Sequence, residues 1–322
     1  MPLDVYTLSC NTCGVKFYST KEAANLLGYN DDSYVRKLVL NGKIDAKKIG
    51  RQWMISEEAI HKYSIISNID NKYKALISFN QELRSITESV LDQTHTGKGP
   101  KDHIVAFAVG RMYKSQEAIL ELCKKGYGED ASVIVRSVFE LLVTMLYILK
   151  DESDETAYRY FAYDWILRKK MYSYVLSNDE ILNEVKRREQ NPNPNDGNVS
   201  QVLEQAKLAQ DKYQYKNNRW SDKSIEEMSK AVGLWRAYKT IYALQCQFAH
   251  NLPRIFNDYT NTDGFGFEYY VGLSENWVEE NLVITFDFCY HFLIATNEHF
   301  SLDLQDKLND ISKRYIDVMK DK

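Results

Sequence analysis

Ser19–Ser56 reads STKEAANLLGYNDDSYVRKLVLNGKIDAKKIGRQWMIS, and its punctuation is dense enough to fix a local fold. Ser19 or Thr20 supplies an N-cap with Glu22 close behind, Ala23, Ala24, Leu26 and Leu27 form the apolar side of a short helix, and Gly28 ends it. A second helix is expected from about Asp32 to Leu40, capped by Asp31, Asp32 or Ser33, with Val35, Leu38 and Val39 inward and a stop at Asn41-Gly42. The next residues alternate apolar and polar around Gly50, which predicts a β-hairpin with Lys47, Lys48 and Arg51 at its tip. Ser56–Tyr63 then opens a third helix.

Two short helices, a tight turn and a basic hairpin meet the physical needs of a winged helix-turn-helix: one helix braces, the next enters the major groove, and the wing touches the backbone. On the stretches TKEAANLLG, VRKLVLNGKI and KKIGRQWMIS, residues 19–63 resemble the excisionase and MerR-type helix-turn-helix family. That resemblance implies binding to double-stranded DNA, as a transcription regulator or a recombination directionality factor. It places Ser33, Tyr34, Arg36 and Lys37 on or beside the groove-facing surface and Lys47, Lys48 and Arg51 on phosphates. Trp53 is expected in the core, packing the wing on the helices. Such heads also bind protein partners, and one head offers few phosphate contacts, so a homodimer or larger homo-oligomer is expected.

Charge follows the same division. Residues 16–63 hold nine Lys/Arg against six Asp/Glu, a surplus of three. With Asp4 ahead of them and a total of −4, the chain from Ser64 onward carries −6. A basic head on an acidic body predicts that only the head approaches a polyanion.

Beyond the head the pattern is helix after helix, which predicts a mainly α fold with a large C-terminal helical bundle. The expected division is an N-terminal segment over 1–15, the winged head over 16–64, a connecting helix and loop over 65–101, and the bundle over 102–322. Lys124–Asp130 splits two long helices into a hairpin, Gln190–Asn198 reads as a loop rich in Pro, Asn and Gly, and Asn261–Tyr270 as a packed irregular segment. The apolar run Ser137–Leu149 carries Glu140 and is expected to be a buried core helix, not a membrane span. No secretory leader is read in the first residues, so a reducing cytoplasm is the expectation. Cys10 and Cys13 have the spacing of half a zinc ribbon, but no second pair matches them, so a simple pair of thiols and no cofactor are expected, with zinc shared across a dimer as four thiolates the alternative.

Within the bundle, Arg136 and Glu140 stand four apart in an apolar stripe, either as a structural ion pair or as part of a pocket. The stretches KGYGEDASVIVRSVFELLVTMLYI and Trp220–His250 resemble a bacterial helical-domain family of unassigned function near the HEPN-like bundles. Active members of the HEPN group place an Arg shortly before a His to cleave RNA, but Ala243, Leu244 and Gln245 stand at those positions before His250. His250 is then either a structural residue or a general acid/base converging with Arg136 and Glu140 on a phosphate. The leading reading is a DNA-binding regulator or mobile-element protein whose body dimerises or senses a ligand. The alternatives are a ribonuclease-like toxin or antiviral-defence effector, and a scaffold.

Overall fold

A computed structural model describes residues 16–94, 98–188, 199–262, 267–269 and 272–320. Cys10 and Cys13, and the loop expected at Gln190–Asn198, lie outside the described residues.

The head begins with strand β1 (Phe17–Ser19), whose last residue caps α1 (Thr20–Leu26). Ser19 Oγ accepts the Glu22 amide at 3.3 Å while the Glu22 carboxylate takes the Ser19 amide at 2.7 Å, so two otherwise orphaned N–H groups satisfy each other's residues. At Gly28 φ is +75°, which lets Tyr29 N–H return to the Ala24 carbonyl. Asp31 caps α2 (Asp32–Leu40), accepting the Ser33 amide at 2.7 Å. A hairpin follows, β2 (Ala46–Ile49) and β3 (Gln52–Ser56), turned at Gly50 and Arg51 with Ile49 opposite Gln52. β1 pairs with the other edge of β3, giving the order β1-β3-β2. Ala23, Ala24, Val35, Leu38, Ile44, Ile55, Ala59 and Ile60 form the head's own core. Leu26, one of the apolar residues that mark this helix in the sequence, is exposed.

Trp53 departs from expectation. It is half-buried, faces Lys48 across the hairpin, and stands outside the head core. Ile55, two residues nearer the helices on the same pleat, takes the buried place.

Helix α3 (Glu57–Lys72) starts on Ser56, whose Oγ accepts the Ala59 amide, and runs unbroken through position 64. Ala59 and Ile60 belong to the head core, whereas Ile69 belongs to the bundle core with Ile65 packed against it. Within 65–101, expected to hold a connecting helix and loop, the described residues of α3 and the helix after it add buried side chains to the bundle core. In α4 (Lys74–Thr94), Leu76, Leu83 and Val90 are fully buried with those of α5 (Pro100–Lys124) and α6 (Gly128–Leu149).

The remaining elements are α7 (Glu155–Leu176), α8 (Asp179–Arg188), α9 (Val199–Tyr213), α10 (Ile225–Ala231), α11 (Trp235–Ala237), a π-helical turn (Tyr238–Tyr242), α12 (Ala243–Ala249), a 3-10 turn (Pro253–Ile255), α13 (Phe256–Tyr259), β4 (Thr260–Thr262), β5 (Phe267–Tyr269), α14 (Val278–Phe300) and α15 (Gln305–Lys320). β4 and β5 pair antiparallel in the stretch read as irregular. α14 packs against α4, α5 and α6, and Phe139, Leu142, Met112, Phe288 and Phe292 fill the space between them. Among the described residues α6 is the one helix long and apolar enough to cross a membrane, and Val135, Phe139, Leu142, Met145 and Ile148 along it are fully buried in the fold. Its first residue, Gly128, lies directly on the Asn276–Val278 backbone.

Candidate functional site

The described residues expected to carry chemistry fall into two groups, one on the head and one in the body. On the head, Ser33, Tyr34, Arg36 and Lys37 are all exposed along α2, because Val35 and Leu38 turn the opposite side of the same helix into the core. Arg36 is held: its Nε and Nη2 donate to Asp32 Oδ2 at 3.1 and 2.8 Å, and Thr20 Oγ1 donates to that oxygen at 3.0 Å. The Thr20 hydroxyl first, and Arg36 after it, keep the Asp32 carboxyl below its ordinary range despite some desolvation, so it stays charged beside the guanidinium. The Tyr34 ring stands edge-on to Tyr29 at 4.8 Å, and Tyr29 and Tyr63 share a hydroxyl hydrogen bond. On the wing Lys47, Lys48 and Arg51 are exposed, and the Lys48 ammonium lies 5.7 Å above the Trp53 ring.

Asp32 as the partner of Arg36 was not singled out from the sequence, although a four-residue spacing on one helix is a sufficient signal for it.

In the body, α6 supplies Arg136 and Glu140, and the π-helical turn and α12 supply Tyr242 and Cys246. Arg136 Nη2 meets Glu140 Oε1 at 2.8 Å and donates to the Tyr242 hydroxyl at 3.2 Å, while Arg136 Nε donates to Cys246 Sγ at 3.2 Å. Tyr242 in turn donates to Glu140 Oε1 at 2.7 Å. Burial, then the carboxylate, push the Tyr242 phenol well above its ordinary pKa, so it acts as a neutral donor. The charge placed inside the apolar stripe is therefore paired and hydrogen-bonded, as a partly buried ion requires. The contacts of Tyr242 and Cys246 with Arg136 were not legible in the sequence, because the partners lie more than a hundred residues apart.

The structure joins Arg136 to Glu140 but not to His250. His250 is the exposed C-cap of α12, its backbone N–H bonded to the Cys246 carbonyl. Among the described residues no hydrogen bond or ion pair links its ring to Arg136 or Glu140.

Fold and site together define a mainly α protein with a small helix-turn-helix head and a large helical body. The head matches the family model of a helix-turn-helix domain over residues 17–63. The body matches a family of unknown function, DUF5677, over residues 102–267, more than half of the chain, and the protein belongs to that family. No curated protein and no solved structure matches the chain.

Proposed function

We propose that the protein binds double-stranded DNA through its head, as a transcription regulator or a mobile-element factor. In this reading α2 enters the major groove, with Arg36 and Lys37 at base edges and Ser33 and Tyr34 beside them, and the wing sets Lys47, Lys48 and Arg51 on phosphates. The observation that carries it is the outward display of these seven side chains from a helix-turn-helix domain whose core lies elsewhere. The head's charge surplus on an otherwise acidic chain supports the same direction of approach. The helical body serves to dimerise or to sense, and a second head supplies the phosphate contacts that one lacks.

Asp32 gives this reading its specificity. A guanidinium fixed by a neighbouring carboxylate presents its remaining donors in one orientation, as bidentate recognition of guanine demands. Crosslinking the full chain in its native cell and sequencing the recovered nucleic acid tests the proposal. A discrete DNA site is expected, lost when Arg36 and Lys37 are changed to Ala. Recovery of RNA alone, or of the same DNA with both variants, would overturn it.

A further inference from the structure

A second kind of site lies on the body, away from the head. Phe107 and Arg111 of α5, Ser137 and Glu140 of α6, Tyr160 of α7, and Trp220 line a cleft, open to solvent, of about 390 Å³. That volume is in the range of small-molecule sites, and the walls have the expected character: aromatic and aliphatic surface with a few polar groups. Trp220 sets its ring edge-on to Tyr160 at 5.2 Å and to Tyr147 at 6.2 Å, which fixes one wall. Trp220 and Ile225 also line an adjoining cleft of about 680 Å³ that reaches Tyr238 and Tyr242.

The charges of the smaller cleft decide what it suits. Its two ionisable lining groups are Arg111 and Glu140, apart from the Tyr160 phenol, whose pKa burial raises. Glu140 is already matched by Arg136, and its Oε1 accepts both Arg136 and Tyr242. Arg111 is exposed and makes no ion pair among the described residues. The lining therefore carries one uncompensated positive charge beside aromatic surface.

We propose that this cleft binds a small organic acid with an aromatic or branched apolar body, its carboxylate on the Arg111 guanidinium and its body against Phe107, Tyr160 and Trp220. The hydroxyls of Ser115 and Ser137 and the second oxygen of Glu140 are available to polar substituents on the ligand. This inference stands on the body alone and does not depend on the head binding DNA.

Calorimetric titration of the full chain with phenylacetate tests it, with phenethylamine as the same body bearing the opposite charge. Phenylacetate is expected to bind saturably at millimolar concentration. Arg111→Gln, a change at an exposed position, is expected to weaken it about tenfold or more. Ser137→Phe, which puts a ring into the cleft, should abolish binding while leaving the α-helical circular dichroism signal intact. Equal binding of phenethylamine, an unchanged Kd in Arg111→Gln, or no saturable heat with phenylacetate would each overturn the proposal.

Discussion

If the wing neutralises phosphates, replacing Lys47, Lys48 and Arg51 together by Ala removes three cations that stand exposed and whose side chains make no ion pair among the described residues. Each phosphate contact contributes about 0.9 to the slope of log K against log salt, so the triple variant should be shallower by about 2.7. Between about 50 and 200 mM salt, each lost contact removes about a 3.5-fold dependence. Wild-type affinity should then fall about 40-fold more than the variant's over that range. Fluorescence anisotropy on one duplex across the salt series measures both slopes. The loss should be uniform across sequences, whereas Arg36→Ala should alter the preference among them. Parallel salt lines for wild type and variant would refute the assignment of the wing to the backbone, whatever the absolute affinities.

The structure makes further commitments about stability. A Cβ on Gly128 would collide with the Asn276 carbonyl oxygen and come within 2.9 Å of Val278 N, whereas one on Gly110 meets nothing within 4 Å. Gly128→Ala should cost about 1–3 kcal/mol or more, lowering Tm by several degrees, while Gly110→Ala should leave it unchanged or slightly raised. Equal melting temperatures in the two variants would show that the start of α6 is not seated on that backbone. Asp151 accepts the Thr156 hydroxyl at 2.6 Å, the Thr156 amide at 3.0 Å, and the amide and hydroxyl of Ser153. The Thr156 hydroxyl is the main cause holding its pKa well below the usual carboxylate range. A folded pKa below the unfolded one adds stability above the ordinary carboxyl value of about 3.9, and this is lost as pH falls through the folded value. Asp151→Asn should therefore be less stable at neutral pH, with the gap closing in acid; a gap independent of pH in urea titrations would contradict this.

Much of the head was legible because its signals are local. Caps at Ser19, Asp31 and Ser56, and the positive φ at Gly28, Gly42 and Gly50, depend only on residues within a few positions. β1 was not legible: three residues carry no alternation, and their partners lie some thirty-five residues downstream. Trp53 was placed too deep, since aromatic size argues for burial without saying how far along the wing the helices reach. In the body the ion pair of Arg136 with Glu140 was readable from its spacing, but its seat against Tyr242 and Cys246 depends on how α12 docks on α6. The role of α4 in the bundle was obscured in the same way, because an amphipathic helix declares that it will be covered and not by what.

Helix α3 is one rigid member anchored at both ends. Ile60 in one core and Ile69 in the other are nine residues apart, about 13 Å along the axis and two and a half turns. At its far end the Lys72 ammonium meets Glu275 at 3.1 Å. Its length therefore sets an angle as well as a distance. One residue inserted near Ser64 would advance the head by only about 1.5 Å but swing it by about 100° around the rod. The azimuth at which α2 faces outward is thus written into the residue count of α3, as the pitch of a screw fixes where its slot comes to rest.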